Sequence, residues 1–106
     1  MRAAVYSFSL RGAELSKKVG ELLHTLGYEV QVETLPKYAE EAKLPAMVGN
    51  HYQVTEEAFK NCQAIVYVGS VGIAVRSIAP FLKSKLVDPA IISVDERGNF
   101  IIPLVA

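Results

Sequence analysis

The chain has 106 residues, of which 51% are hydrophobic and 21% charged, and its formal net charge at pH 7 is zero. This length fits a single domain over residues 1–106, and the apolar content excludes a disordered polymer. The lack of a basic excess argues against a nucleic-acid partner, and no apolar run approaches the ~20 residues that cross a bilayer. A single cysteine excludes an internal disulfide, so we expect a cytoplasmic protein. The apolar run before Ser7 is too short for a signal peptide, and we expect no membrane partner.

Residues 1–35 predict a strand, a helix and a second strand. The stretch at residues 2–8 is nearly all apolar, which suits a strand covered on both faces. Residues 13–26 carry apolar side chains at helical spacing, and Gly27 follows at the position of a left-handed helix cap. Residues 28–35 alternate between polar and apolar side chains, which indicates an edge strand.

The middle of the chain is less regular. Residues 36–53 have no sustained period because prolines and a Gly-Asn pair interrupt them, and they predict a long surface loop with one or two helical turns at residues 38–43. A short helix should then begin at Thr55, a suitable N-cap followed by two glutamates, and end near Cys62.

A buried strand and a helix come next. Residues 64–68 are apolar throughout, which predicts a central strand. The Gly-Ser-Val-Gly connection at residues 69–72 leads into a helix at residues 73–79. Pro80 cannot occupy a helix interior, so the helix kinks there or restarts over residues 80–85.

The chain ends in a predicted hairpin. Asp88 and the proline after it form a turn before a strand at residues 90–94. Gly98 is placed at a bulge in the connection to the last strand, residues 100–104, and Pro103 puts that strand at an edge.

Together these elements predict an α/β fold, a three-layer α/β/α sandwich. Its mostly parallel five-stranded sheet should have the order 2-1-3-4-5 with the last strand antiparallel. In such sheets ligands bind in the crevice at the carboxyl ends of strands 1 and 3. The loops at residues 7–12 and 69–72 are therefore the predicted binding loops.

The strongest candidate site is the connection at residues 69–72. Free N–H groups and the positive end of the helix dipole favour an anion there, although a tight turn that simply needs two glycines explains the sequence equally well. Arg76 lies one turn into the same apolar helix and could bind a carboxylate of a ligand. The alternatives are an Arg that extends along the surface or an internal ion pair with Asp88 or Asp95.

The other candidates have simpler structural explanations. Ser7, Ser9 and Arg11 line the first loop, where Ser9 can simply cap the first helix. Asp95 lies at the carboxyl end of its strand and could face the crevice, but turn formation is the simpler explanation.

Metal binding and thiol chemistry have little support. His24 and His51 are isolated and have no other ligand at metal-binding spacing, so no metal is expected. Cys62 has only one basic neighbour in sequence and is expected to be an inert, partly buried thiol.

Residues 56–104 resemble a known family. The run at residues 68–80 follows the pattern Val-Gly-x-x-Gly-Ile-x-Val-Arg-x-Ile-Ala-Pro, and Asp-Pro-Ala at residues 88–90 precedes a strand ending in Val-Asp at residues 94–95. Both features are similar to the N-terminal domain of the cobalamin biosynthesis protein G family, the cobalt-precorrin-5A hydrolases. Residues 1–55 match that family only in their strand and helix layout.

The resemblance implies a role in the anaerobic route to vitamin B12. Enzymes of the family open the δ-lactone on ring A of cobalt-precorrin 5A and release acetaldehyde, giving cobalt-precorrin 5B. It implies a cobalt-corrinoid intermediate as ligand, no cofactor other than the cobalt that the substrate carries, and a C-terminal domain of the same enzyme as partner. An oligomer is compatible with the sequence.

With this substrate, the candidate residues acquire roles. Asp95 would orient water, and Arg76 would act in catalysis and bind substrate carboxylates. The substrate-binding candidates are Ser7, Ser9, Arg11, Gly69, Ser70, Val71, Gly72 and Arg76.

The family's last strand runs into a Ser-Gly-His-x-Gly-Gly-Ala-Asn segment and a further domain. This sequence instead ends at Val105-Ala106, as an isolated domain or a shortened natural protein would. We therefore do not expect this chain alone to be active. The alternative function is a non-catalytic α/β module that binds an anion or a partner, or assembles as an oligomer.

Overall fold

A five-stranded sheet organises the computed structural model, which describes residues 1–105. The strand order is β2-β1-β3-β4-β5, with parallel pairing except between β4 and β5, as the sequence predicts. The strands are β1 (Arg2–Ser7), β2 (Glu29–Thr34), β3 (Ala64–Val68), β4 (Ala90–Val94) and β5 (Ile101–Val105). The helices are α1 (Leu10–Thr25), α2 (Pro36–Ala42), α3 (His51–Asn61) and α4 (Val71–Ile78), and a 3-10 turn follows α4 at Ala79–Phe81.

Alternating side chains of the central strands build a core on each face of the sheet. On one face Val5, Val66 and Val68 pack beneath the apolar side of α1. On the other face Tyr6 and Tyr67 pack beneath α3 and α4. The two cores confirm three layers, and β3 is buried along its whole length because helices cover both of its faces.

Helix α1 begins three residues earlier than predicted. Ser9 caps it by accepting a 2.9 Å hydrogen bond from the Gly12 N–H, so Gly12 lies inside the helix rather than before it. A Cβ atom at this glycine would lie 3.1 Å from the Val68 carbonyl oxygen, so the residue allows α1 to approach the sheet closely. At the other end Gly27 adopts a φ of 99°, which confirms the predicted left-handed position.

The prediction of a long loop over residues 36–53 is wrong, although the helical turns predicted at residues 38–43 do form, within α2. Pro36 opens the two-turn helix α2, since proline is well tolerated at the first helical position. After α2 the chain pairs briefly with the end of β2, and Met47 is buried in the core. Asn50 then caps α3 in a capping box with Gln53, so this helix begins four residues before the predicted N-cap.

Thr55 is therefore not an N-cap. It lies within α3, fully buried, and its hydroxyl is hydrogen-bonded to the hydroxyl of Tyr67 on β3. The prediction was wrong because Thr55 and the glutamates after it also resemble a helix start, whereas the Asn50 cap lies within the stretch assigned to a loop.

Helix α4 begins two residues earlier than predicted, and the segment after it is less helical than predicted. Ser70 caps α4, so the helix begins at Val71 rather than Ile73. Pro80 follows the helix and supports only a 3-10 turn, so the predicted restart over residues 80–85 ends after that turn. Asp88 then accepts a 2.8 Å hydrogen bond from the Lys83 N–H, which closes the turn before β4.

The β4–β5 hairpin forms as predicted, except that its register irregularity lies between Ile91 and Ile92 rather than at Gly98. Gly98 has a φ of 77° in its connection, and β5, which contains Pro103, is an edge strand. No helix within residues 1–105 combines the length and the apolar character of a membrane span.

Candidate functional site

The predicted crevice forms where the carboxyl ends of β1 and β3 meet. Ser7 and Val68 are register partners in these strands, and α1 and α4 both begin directly after them. The Phe8 ring packs beside Gly69 and stacks on Tyr67, with ring centroids 6.5 Å apart. The loops at residues 7–12 and 69–72 are therefore neighbours, as the topology predicts.

The N-terminus of α4 is open to solvent. Ser70 and Val71 are exposed, and the Ser70 hydroxyl accepts a 3.3 Å hydrogen bond from the Ile73 N–H. The N–H groups of Val71 and Gly72 have no acceptor among residues 1–105. Unpaired N–H groups at the positive end of a helix are the arrangement that binds anions.

Arg76 adds a cation to this helix end. Its side chain folds back over the first turn, and Nη1 lies 3.3 Å from where a Cβ of Gly72 would be. The guanidinium is exposed and pairs with no carboxylate of residues 1–105. An internal ion pair with Asp88 or Asp95, the alternative that the sequence left open, is thus not formed.

The N-terminus of α1 already holds a carboxylate. The Ser9 hydroxyl donates a 2.6 Å hydrogen bond to Oε2 of Glu96, from the β4–β5 hairpin, while it caps the helix. The capping role that the sequence suggested for Ser9 is therefore confirmed. Arg11 is exposed beside it and lines a shallow groove with Glu96 and Arg97.

Ser7 lies below the crevice surface. It is fully buried, and its Cβ lies 3.5 Å from where a Cβ of Gly12 would be, under the first turn of α1. Its hydroxyl has no hydrogen-bond partner among residues 1–105. Substrate binding by Ser7 stays a prediction, and it requires this first turn to move.

Asp95 is engaged in the hairpin turn. Its Oδ1 accepts a 2.6 Å hydrogen bond from the Phe100 N–H, and its Oδ2 accepts a 3.3 Å bond from the Arg97 N–H. Turn formation, the simpler explanation offered by the sequence, therefore accounts for this carboxylate. Its predicted role in orienting water remains open, since a carboxylate oxygen can accept more than one hydrogen bond.

His51 is brought to this region although it was not predicted as a site residue. It is the first residue of α3, and its Nδ1 lies 2.7 Å from the Ser77 hydroxyl on α4. Its ring also packs on Tyr52, with centroids 4.1 Å apart. The capping box of Asn50 and Gln53 was the signal that would have placed His51 at the start of a helix.

The buried hydroxyls beneath the crevice are structural. Burial raises the pKa of Tyr67 to about 12, opposed by its hydrogen bond with Thr55, so this phenol is neutral at physiological pH.

Thiol and metal chemistry find no support in the described residues. Burial raises the pKa of the Cys62 thiol, which disfavours the reactive thiolate. Within residues 1–105 no three His, Cys, Asp or Glu side chains gather where they would hold a metal ion.

The fold and this site define a class of protein. The class is the α/β sandwich with a mostly parallel sheet. An open helix N-terminus and an unpaired guanidinium lie at the carboxyl edge of this sheet. In such folds these features bind carboxylate or phosphate groups.

The family follows from comparison with known proteins. Residues 53–106, just over half of the chain, match the family described as "Cobalamin synthesis G N-terminal", and the chain belongs to this family. The match includes α4 and the β4–β5 hairpin, the regions on which the sequence resemblance rests.

Relatives with curated names agree with this assignment. Over 103 residues the chain is 31% identical to the cobalt-precorrin-5A hydrolase of Salmonella typhimurium, covering 97% of this chain and 28% of that protein. It is 23% identical to the enzyme of the same name from Priestia megaterium over an equal span. The chain thus spans little more than a quarter of the length of these relatives.

A solved structure supports the fold. A cobalamin biosynthesis protein G homologue from Sulfolobus solfataricus superposes with a TM-score of 0.73 at 27% identity, covering 98% of this chain and 29% of that one. The sequence-based recognition of the family and of the fold is thereby confirmed.

Proposed function

We propose that this chain is the substrate-binding domain of a cobalt-precorrin-5A hydrolase in the anaerobic synthesis of cobalamin. The observation that carries the proposal is the open N-terminus of α4 with the unpaired guanidinium of Arg76 beside it. The substrate displays many acetate and propionate carboxylates around its macrocycle. A helix N-terminus and an arginine are complementary to such groups.

The reaction opens the δ-lactone on ring A. Water adds to the lactone carbonyl carbon, the π electrons move to oxygen, and collapse of this oxyanion breaks the ring C–O bond. The bridging carbon, released as an alkoxide, leaves with its methyl group as acetaldehyde when its bond to the macrocycle breaks. The macrocycle keeps that electron pair and takes up a proton.

The first step is the one that this site suits. The N–H groups of Val71 and Gly72 point out of the first turn of α4 and would donate to the oxyanion. Arg76 would hold a neighbouring carboxylate, with Gly69 and Ser70 in the same loop. Asp95 would orient the water through an oxygen that also serves the hairpin.

The binding surface extends toward the start of α1. Ser7, Ser9 and Arg11 would contact the substrate there, with Arg11 the exposed member of the three. Because the Ser9 hydroxyl is already bonded to Glu96, we assign this side a smaller share of the binding than α4.

The remaining proposals concern cofactors and partners. No organic cofactor is needed for hydrolysis, and the cobalt is part of the substrate. The relatives are longer than this chain, so the proposed partner is a C-terminal domain that completes the active site. The compartment that we propose is the cytoplasm.

Calorimetric titration with a carboxylate-rich cobalt corrinoid tests the proposal. Arg76→Ala should weaken binding about tenfold, which corresponds to ~1.4 kcal/mol. The matched control is Arg2→Ala, because Arg2 starts β1 at the opposite edge of the sheet and pairs there with Glu29. Equal affinity of the Arg76 variant and the wild type would contradict the proposal.

A second function is supported by the engagement of Asp95 in the hairpin turn. With that carboxylate occupied, the chain would serve as a non-catalytic module that binds an anion or a partner through α4. Such a module would bind simple tricarboxylates as tightly as the corrinoid. The substrate-binding domain should prefer the corrinoid.

A further inference from the structure

A hydrogen-bonded chain joins the start of α3 to the first turn of α4. The Nδ1 atom of His51 lies 2.7 Å from Oγ of Ser77, and this hydroxyl lies 2.6 Å from the carbonyl oxygen of Ile73, one turn back along α4. The Ile73 N–H in turn donates to the hydroxyl of the N-cap, Ser70. The imidazole is thus linked to the helix end that forms the candidate site.

The geometry determines which nitrogen of His51 carries the proton. A carbonyl oxygen can only accept, so the Ser77 hydroxyl must donate its single proton to Ile73. The hydroxyl can then only accept from His51, and Nδ1 must be the protonated nitrogen. In the neutral ring Nε2 therefore carries a lone pair, and no group within residues 1–105 is hydrogen-bonded to it.

The surroundings hold the ring in place without enclosing it. His51 is half-buried, packed on Tyr52 and at the first position of a helix whose capping box involves Asn50 and Gln53. A fixed ring with one nitrogen engaged by a hydroxyl and the other free is the arrangement of a general base.

We propose that His51 is a further catalytic residue of this site and that Ser77 is its positioning residue. This role rests on the proposed function: Nε2 of His51 accepts a proton from the water that attacks the lactone carbonyl. As the new C–O bond forms, the proton moves to Nε2. The imidazolium returns it to the macrocycle when the bond between the bridging carbon and the macrocycle breaks and acetaldehyde leaves. The neutral imidazole is thereby regenerated.

The first test is the tautomer of His51 in the 106-residue chain, measured by long-range ¹H–¹⁵N correlation. We expect the Nδ1–H form for His51, and Ser77→Ala should shift it toward the Nε2–H form. His24, which is exposed on α1, is the internal reference in the same spectrum. An Nε2–H tautomer of His51 in the wild-type chain would overturn the proposal.

The second test is turnover. A chimera would carry this chain in place of the 103 aligned residues of the Salmonella typhimurium hydrolase, and acetaldehyde release would be measured. Starting from an active chimera, His51→Gln should lower kcat by about 100-fold or more with little change in KM. Ser77→Ala should lower kcat less, Ser77→Thr should restore it, and His24→Gln should leave it unchanged. An unchanged kcat in His51→Gln would overturn the proposal.

The two proposals fail differently. If the corrinoid shifts no backbone amide of Gly72 or Ile73 in the wild-type chain, the proposed function fails and the catalytic role of His51 fails with it. If those amides shift and turnover survives His51→Gln, substrate binding stands and only the role of His51 is rejected.

Discussion

The N-termini of α1 and α4 are built alike but differ in charge. A carboxylate of the chain lies at the start of α1, whereas a guanidinium and unpaired N–H groups lie at the start of α4. Each helix follows a buried strand at the same edge of the sheet, and each is capped by a serine hydroxyl, Ser9 or Ser70. At α1 the serine also binds the carboxylate of Glu96. At α4 the first N–H groups are unpaired and the guanidinium of Arg76 lies beside them. A helix start is therefore a binding site only if the chain has not filled it.

The difference originates in the β4–β5 hairpin. Asp95 ties the turn together through two backbone N–H groups, and Gly98 supplies the left-handed residue that lets it close. This turn carries Glu96 to the start of α1. No comparable hairpin reaches the start of α4 within residues 1–105, so that helix end keeps its capacity for an external anion.

Charge reversal should separate the two helix ends most strongly. Arg76→Glu puts a carboxylate where a substrate carboxylate would bind, and we expect affinity for the corrinoid to fall by about 100-fold, or ~2.7 kcal/mol. Arg11→Glu, the same change at the start of α1, should cost less than about threefold, or ~0.7 kcal/mol. Calorimetric titration of both variants measures the difference. Equal losses would mean that both loops carry recognition equally.

The loss of folding stability on removing each serine cap compares the same two helix ends. Ser9→Ala loses the cap and the bond to Glu96, so we expect a loss of ~1.5 kcal/mol in the free energy of unfolding. Ser70→Ala loses a single 3.3 Å bond, with an expected loss of ~0.5 kcal/mol. Urea unfolding followed by circular dichroism measures both. The reverse ranking would show that Glu96 contributes nothing at α1.

Removing the carboxylate charge at the start of α1 should have the smallest effect. Glu96→Gln keeps a hydrogen-bond acceptor for Ser9 but removes the charge at the helix end, which should destabilise the fold by ~0.5 kcal/mol. The positive helix end, no longer neutralised by a carboxylate, should now attract an anion. Urea unfolding in chloride and in phosphate should show a stabilisation by phosphate in this variant that exceeds the wild type's. A stabilisation by phosphate that is no larger in Glu96→Gln than in the wild type would contradict this comparison.

Local patterns predict most of the fold and only part of the site. The apolar run of β3 and the alternation of β2 place a central and an edge strand, and right-handed crossovers then give the sheet order. The start of α3 was missed because its capping box lies within a stretch that prolines and glycine make look irregular. The contact of Ser9 with Glu96 spans 87 residues, and no local pattern encodes it.

Arg76 and His51 show the same limit of sequence-based prediction within the site. The arginine was predicted because a single charge on an apolar helix is visible in the sequence itself. The hydrogen-bond partner of the histidine is Ser77, 26 residues away on another helix. Sequence alone indicates which groups are unusual, whereas their partners depend on how α3 packs against α4.

The most direct test of the account is a backbone amide titration of the ¹⁵N-labelled chain with a cobalt-free corrinoid that keeps its acetate and propionate groups. We expect the amides of Val71, Gly72 and Ile73 to shift with saturation, and those of Leu10 and Gly12 at the start of α1 to shift far less. Shifts centred on the start of α1, or no shifts at either helix, would contradict the claim that α4 is the substrate-facing site.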